Sequence, residues 1–313
     1  MGLGLAIAAD AMRACEASPA WRGLRLRWCG AAPLPGGLLN ASPREENIAS
    51  VARFRRHLGE VFRGLWFRRR LQVGLPDTSV RVWLLFADDL PRDPAEQRRY
   101  LLWRLADLLD IRPDSVRLAY ASTPSALPGP RHAVVCAVAG ENVVRQYERA
   151  LAESRIRYSG IAPSSVLLFN LFQRQLAGQP GDPVLLLAAG DETVTTILTL
   201  RGCPIFWRTR VLAGRQEEGE AAAGGRWGDL LQDVTEAIAY GEERLGVNPP
   251  GQLLVTSTGT GQGELARWLK AQVHIPTDSL DTWCLLNLKQ SPHRVAAEGW
   301  SRWGAALGAA ARQ

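Results

Sequence analysis

Two segments of this chain have the residue pattern of a phosphate-binding hairpin, and both lack the acid that such a hairpin needs for chemistry. Each is an apolar strand, a turn of small residues and a second strand, and they span 4–13 and 185–196. In hairpins of this kind an Asp ends the first strand to position Mg²⁺ and water, and a Gly in the turn lets backbone N–H groups approach phosphate. Here Ala6 stands at the Asp position and Ala8 at the Gly position, while the second strand ends in apolar residues at 187–189. The pattern predicts a duplicated phosphate-binding frame without its carboxylates.

The nearest acids lie in the turns themselves. Asp10 follows the first strand, and Asp191 and Glu192 follow Gly190 in the second. A shifted carboxylate can still hold Mg²⁺ through water, which leaves a displaced metal site open. Asp is also a common turn residue because its side chain hydrogen-bonds nearby backbone, and we favour that interpretation. We expect no catalytic residue and no metal site. Gly259 opens a Gly-rich turn into a helix, which fits either residual phosphate contact or an ordinary connection.

The composition limits the classes of protein that need consideration. A chain of 313 residues with 46% hydrophobic residues is long enough for two domains. Five cysteines without a CxxC pair and four scattered histidines indicate reduced thiols and no zinc site. The net charge of +6 comes almost wholly from arginine, since only Lys270 and Lys289 are lysines, and this bias is typical of a GC-rich genome rather than of nucleic-acid binding. The chain has neither an apolar run long enough to span a membrane nor a signal-peptide pattern, so we expect a cytoplasmic protein.

Periodicity and turn residues divide the chain into two halves, with an insertion in the first. Each half opens with three predicted strands, and the first continues into a β-α-β-β-α unit over about 79–155. The segment 178–183 is rich in Gly and Pro and is the clearest linker. Residues 217–225 are predicted as a loop of small and acidic residues. We therefore predict a first domain over 1–178, with 79–155 as an inserted subdomain, and a second domain over 183–313.

Short motifs along nearly the whole chain resemble, in order, those of the PilM family of type IV pilus assembly proteins, and most closely its divergent HofM-like branch. Residues 32–37 resemble the family's PLP-G strand end, and residues 73–80 resemble its A-L-P-x-S-x-V segment. Residues 109–116 are similar to the HofM-like stretch after the helix of the inserted subdomain, and 301–312 to the C-terminal helix. The resemblance implies an α/β, two-domain actin-like (FtsA-like) fold with an inserted β-α-β-β-α subdomain.

The departures from the family pattern fall on the nucleotide site. Members that bind ATP begin with D-I-G-S-S-x-x-K, where this chain has Ala6, Ala8 and Arg13 at the Asp, first Gly and Lys positions. The second motif keeps only Gly190, and the adenosine-side G-G-G-A reads Ser-Thr-Gly-Thr around Gly259. A glycine pair and an E-A-E-x-x-K helix are missing after the second hairpin, which implies a reduced subdomain there. The resemblance thus implies a degenerate ATPase without a cofactor, and the alternative is an active ATPase with displaced metal-binding acids.

The resemblance also implies a partner. PilM-family proteins bind the short cytoplasmic N-terminal tail of a PilN-like bitopic membrane protein, in a groove between the first subdomain and the insertion. The matching walls here are 72–86 and 132–148, and we predict Trp83 and Phe86 as anchors because aromatic residues dominate interface energies. Plain core packing is the other interpretation of both side chains. The implied role is a cytoplasmic scaffold, peripheral to the inner membrane, in pilus assembly, DNA uptake or a related secretion system, with no nucleic-acid partner.

Overall fold

The computed structural model describes residues 2–21, 23–65, 70–108, 115–178, 181–212, 220–258, 262–286 and 300–311. Gly259 lies outside these residues. The strands are β1 (Gly2–Ile7), β2 (Ala11–Ala20), β3 (Gly23–Pro33), β4 (Leu71–Leu75), β5 (Arg81–Ala87), β6 (Val116–Pro124), β7 (His132–Gly140), β8 (Tyr158–Pro163), β9 (Val184–Ala189), β10 (Thr193–Leu200), β11 (Cys203–Val211), β12 (Gln252–Ser257) and β13 (Thr277–Ser279). The helices are α1 (Val51–Val61), α2 (Pro94–Leu105), α3 (Glu141–Glu153), α4 (Ser164–Leu171), α5 (Glu220–Leu245), α6 (Gln262–Val273) and α7 (Gly304–Ala311).

Two five-stranded sheets with the same topology form the two halves. The strand order is β3-β2-β1-β4-β8 in the first sheet and β11-β10-β9-β12-β13 in the second. In each sheet the first three strands are antiparallel neighbours and the next two join in parallel. The apolar strands β1 and β9 are central and almost wholly buried, as expected for strands covered on both faces. The duplication suggested by the two hairpins is therefore present in the strand order.

The insertion contains a separate antiparallel sheet of three strands in the order β5-β7-β6. Helix α2 covers one face of this sheet, where Leu101 and Leu105 belong to the same buried cluster as Val134, Cys136 and Val138. Helix α3 follows β7 directly and packs on the first half of the molecule through α1. The order of these elements is the predicted β-α-β-β-α order, while the exact domain boundaries stay predictions.

A buried hydrogen-bond network joins the insertion to the first half. Asn47 is fully buried; its N–H donates to Gln146 Oε1 at 2.7 Å, and its Nδ2 donates to Ser79 Oγ at 2.7 Å and to the Tyr147 hydroxyl at 3.1 Å. Gln146 Nε2 returns a bond to the Ile48 carbonyl at 2.8 Å. Buried polar groups are costly unless paired, and these side chains are paired with one another. The segment 42–48 is consequently held against the start of β5 and the face of α3.

The free end of the insertion contacts the second half. The Cys203 thiol at the start of β11 donates to the Pro124 carbonyl at 3.2 Å and lies 3.4 Å from Thr123 Oγ1. Ala126 and Leu127, in the loop that follows β6, pack against the core of the second half. The insertion therefore spans both halves and restricts their relative movement.

Helix α5 corrects one prediction. Residues 220–225, expected as part of a loop, form the first turns of this helix. Three consecutive alanines stand there, and alanine has the highest helix propensity of any residue type. Residues 213–219 lie outside the described part of the chain. Among the helices in the described part, none is long and apolar enough to cross a membrane.

The C-terminal helix α7 returns to the first sheet. It packs on β1, β2 and α4, although its place in the sequence put it in the predicted second domain. The approach is close because both surfaces carry glycine: a Cβ on Gly4 of β1 would collide with the Ala306 carbonyl, and a Cβ on Gly308 with the Leu167 carbonyl of α4. The absence of side-chain carbons at these two positions lets backbone approach backbone.

The close packing of α7 predicts that a glycine-to-alanine substitution changes stability in opposite directions in α7 and in α1. Gly308→Ala forces α7 away from α4, so we expect it to lower the free energy of unfolding by about 1 to 3 kcal/mol, as overpacking does. Gly59→Ala is the matched control, because a Cβ at exposed Gly59 of α1 meets no atom within 4 Å, and there we expect a gain of about 0.5 to 1 kcal/mol from helix propensity. Urea denaturation of both variants measures the difference. A stabilising Gly308→Ala would contradict the close packing of α7.

Candidate functional site

The first turn of the duplicated frame has a buried alanine in place of a metal-binding acid at its strand end. Ala6 is buried and belongs to an apolar cluster with Trp303, Ala306 and Leu307 of the C-terminal segment. Its direct cross-strand neighbour on β2 is Arg13, which is also buried. The turn itself is closed by the Ala8 N–H, which donates to the Ala11 carbonyl at 2.9 Å.

The second turn is held by contacts from two other elements. The Gly190 N–H donates to the Thr193 carbonyl at 2.7 Å, and Arg226 of α5 donates from Nη2 to the Gly190 carbonyl at 2.6 Å. Thr258, just after β12, donates its N–H to the Ala189 carbonyl at 3.0 Å and its hydroxyl to Asp191 Oδ1 at 3.2 Å. The backbone carbonyls and the carboxylate of this turn thus already accept hydrogen bonds from the protein itself.

One arginine joins all three segments that the sequence singled out. Arg302 Nη1 lies 3.0 Å from Asp10 Oδ2 in the first turn, and its Nη2 lies 3.7 Å from Asp191 Oδ2 in the second. Its Nε donates to the Thr258 carbonyl at 2.9 Å, in the segment that matches the adenosine-side motif. We call Asp10, Arg13, Asp191, Thr258 and Arg302 the arginine cluster. The side chain of Arg302 is about three-quarters buried, so these contacts are shielded from water.

Arg13 completes the pairing of Asp10. It occupies the Lys position of the motif, and its Nη2 lies 3.0 Å from Asp10 Oδ2. Burial acts to raise the pKa of Asp10, but the hydrogen bond from Arg13 and the charges of Arg13 and Arg302 outweigh it and hold the pKa below the usual value. A carboxyl whose folded pKa is lowered stabilises the fold above its unfolded pKa, and that stabilisation is lost as the pH falls through the folded pKa. Asp10 is therefore an ionised, paired group at neutral pH.

Sequence reasoning found Asp10, Arg13 and Asp191 of this cluster but missed Arg302. Arg302 lies in a segment interpreted only as part of a C-terminal helix, and 292 residues separate it from Asp10. Gly190 and Asp191 lie where the pattern placed them, and Ala8 is in the first turn. Within the described residues, no group of three or more metal-binding side chains is present.

A second candidate site is the face of the insertion sheet opposite α2. The cross-strand register places Val82, Ala137 and Ala119 in one row and Leu84, Val135 and Ala121 in the next. We call these two rows the open sheet face. Ala119 and Ala121 of β6 are exposed and the other four are half-buried. The inner part of this face is covered by the protein itself: Val82, Leu84 and Val135 pack against a core cluster that includes Phe169 and Trp207. The accessible part is therefore its β6 margin, where the side chains are small.

The open sheet face has a backbone edge and a charged patch beside it. Within the described residues β8 pairs with β4 alone, so its outer edge is open. Ile161 of β8 and Ala137 of the open sheet face pack against the same core cluster. Nearby, Arg117 pairs with Glu141 at 2.7 Å and lies 3.7 Å from Glu148, which also hydrogen-bonds the Tyr158 hydroxyl. An open edge beside an apolar face is the arrangement that accepts an extended peptide.

The structure separates the two predicted anchors. Successive side chains of a strand point to opposite faces, so Trp83 and Phe86 lie on different sides of the insertion sheet. Trp83 packs into the cluster under α2 with Leu85 and Tyr100, and this is the core interpretation. Phe86 lies on the side of the open sheet face, in the row of Ala133 and Thr123 at the end near β11. The two cannot anchor one peptide in one groove.

The predicted groove walls are also partly occupied by the chain itself. Segment 42–48 contacts Ser79 and α3 through the buried Asn47 network, and the Gly140 N–H donates to the Pro43 carbonyl at 2.7 Å. Of the predicted walls, β4 is paired on both edges and β7 is central in its sheet. Within 72–86 and 132–148, the members of the open sheet face are half-buried, and its exposed residues, Ala119 and Ala121, lie on β6 outside these walls.

Comparison with known proteins identifies the fold. No family model matches the chain, and no curated protein matches it by sequence. Among solved structures, a PilM–PilN type IV pilus biogenesis complex superposes with a TM-score of 0.78 at 20% identity, over 99% of this chain and 97% of that chain. A protein of unknown function from Bacteroides thetaiotaomicron with an actin-like ATPase fold gives a TM-score of 0.52 at 12% identity, over 88% of this chain and 89% of that one. The chain therefore has a PilM-like actin fold, as its motifs predicted.

Proposed function

We propose that this protein is a cytoplasmic scaffold of a type IV pilus or related assembly complex, and that it holds an extended peptide from a PilN-like membrane protein on the open sheet face. The observation that carries the proposal is an apolar sheet face that is uncovered at Ala119 and Ala121, beside a strand edge that has no partner in the described part of the chain, in a fold that matches a PilM–PilN complex. A role as an adaptor in pilus or secretion machinery is the broader form of this proposal.

The chemistry of the open sheet face defines the partner segment. Alanines on β6 and β7 form a shallow apolar floor, so the peptide supplies the large side chains. An extended peptide places alternate residues on one side, at the same spacing as the rows of the sheet beneath it. Its backbone pairs with the open edge of β8, which gives affinity independent of sequence, while the side chains give specificity. A short apolar N-terminal tail of a membrane protein has this chemistry.

The arginine cluster supports scaffolding rather than turnover. Phosphoryl transfer depends on Mg²⁺ and on charges aligned with the transferring group. Here both turn carboxylates are paired with Arg302, and the strand end that would carry the first acid packs against α7. The alternative of an active ATPase with displaced acids requires Asp10 or Asp191 to exchange its arginine for Mg²⁺. Under the proposal the protein is peripheral to the inner membrane, where its partner is anchored, and needs no cofactor.

A charged side chain on the exposed margin of the open sheet face should weaken peptide binding. Ala121→Glu places an ionised group on the apolar floor, where binding would desolvate it, so we expect a loss in affinity of about tenfold or more. The matched control is Ala95→Glu. Ala95 is also an exposed alanine of the insertion, but it lies in the first turn of α2, on the opposite side of the insertion sheet. Fluorescence anisotropy with a labelled peptide copying a PilN-like N-terminus measures both affinities.

Phe86→Ala and Trp83→Ala separate the two sides of the sheet in the same assay. We expect Phe86→Ala to lower the affinity for the peptide. Trp83→Ala should mainly lower the free energy of unfolding, since Trp83 packs under α2. Equal affinity of Ala121→Glu and Ala95→Glu, with both variants folded by circular dichroism, would move the peptide site away from the open sheet face.

The scaffold proposal also predicts the response to nucleotide. Isothermal titration with Mg-ATP should give no saturable heat at sub-millimolar nucleotide, because the turn acids are already paired. Phosphate release above the level of a buffer blank should likewise be absent. Tight binding with measurable hydrolysis would favour the displaced-acid alternative, and Asp10→Asn and Asp191→Asn would then show which carboxylate holds the metal.

A further inference from the structure

We propose that Arg302 is a permanent internal cation that joins the two halves of the molecule, at the place where a nucleotide-dependent frame of this topology holds metal and phosphate. Its partners come from both sheets: Asp10 follows β1 of the first, while Asp191 and Thr258 follow β9 and β12 of the second. The inference goes beyond the scaffold role, since it concerns how the two halves are held together whatever partner binds.

The position of Arg302 is fixed by its neighbour. Trp303 is buried among Cys15, Ala17 and Leu26 of the first sheet, and α7 begins at the next residue. Arg302 is therefore carried by the first half and extends its guanidinium to the second. Two of its three partners lie on the other side of the junction, so the contact is a cross-link between halves.

The charges of the cluster balance without a ligand. The carboxylates of Asp10 and Asp191 face the guanidinium groups of Arg13 and Arg302. Because each carboxylate already faces a guanidinium, a metal ion would have to displace Arg302, and a phosphate would have to displace a carboxylate from its arginine. Removing Arg302 changes this balance and leaves two acids around one arginine.

A guanidinium also differs from a metal ion in how it joins the halves. Its planar fork donates to several acceptors in fixed directions, and it stays charged at every pH at which the protein is folded. It cannot dissociate, whereas a nucleotide leaves after hydrolysis. The junction is consequently set in one state, independent of nucleotide concentration.

Arg302→Ala tests the cross-link in the full chain. We expect the melting temperature to fall by about 4 °C or more, and amide exchange in the turns at 8–11 and 190–193 to accelerate together by about tenfold. Arg267→Ala is the matched control, since Arg267 is an exposed arginine of α6 that donates only locally, to the Gly263 carbonyl. Equal melting temperatures and equal exchange in the two variants would overturn the proposal.

Rescue by a divalent cation separates a cross-link from general packing. With Arg302 removed, millimolar Mg²⁺ should raise the melting temperature of the Arg302→Ala variant, and should leave the wild type and Arg267→Ala unchanged. Adding Asp191→Asn to Arg302→Ala should abolish this rise. No rise with Mg²⁺ would mean that Arg302 does not act as the internal cation.

Two further outcomes are decisive. If the wild type binds ATP and Arg302→Ala does not, Arg302 is a phosphate ligand and the proposal is wrong. If Arg302→Ala fails to fold, Arg302→Lys takes its place, because it keeps the charge but loses the fork. Exchange at the second turn should then still accelerate, and an unchanged rate would contradict the cross-link. Failure of the peptide assay leaves these readouts unaffected, so the two proposals are tested separately.

Discussion

The close approach of helix α7 to strand β1 is the constraint on which the other features depend. It requires glycine at Gly4 of β1, while Gly308 of α7 allows the equally close contact with α4, and it brings the last described helix against the first strand. The same approach buries Ala6 among apolar residues of the C-terminal segment. It also places Trp303, and with it Arg302, at the junction of the two halves. The burial of Ala6 and the position of Arg302 are thus consequences of one packing arrangement.

The order of strands and helices was predicted from local signals, whereas the fold class came from the resemblance of short motifs to a known family. The two hairpins, the β-α-β-β-α order and the break near 178 come from periodicity and turn residues, and the order of the strands and helices agrees with them. The actin-like fold is confirmed by superposition. The first turns of α5 were missed because small and acidic residues suggested a loop, whereas consecutive alanines favour a helix. That signal was available in the sequence.

The functional residues were predicted less completely, for two physical reasons. Arg302 could not be found because the pair with Asp10 exists only after the chain folds back over 292 residues. The sequence alone already argues against Trp83 and Phe86 as anchors in the same groove, since an odd separation along a strand places two side chains on opposite faces. The alanines of β6 were not predicted as site residues because alanine has no functional group. Only the cross-strand register with β7 shows that they lie on one face of the sheet.

The buried network around Asn47 has a consequence for how this protein is made. Asn47 and Tyr147 are 100 residues apart, yet the amide of one has the hydroxyl of the other as a buried partner. At a synthesis rate of 5 to 20 residues per second, segment 42–48 waits about 5 to 20 s on the ribosome before that partner is made. Throughout this interval its polar groups depend on water or on chaperones. Segment 42–48 is therefore an early-synthesised part of the chain that can become ordered only late, and the first half cannot mature ahead of its own insertion.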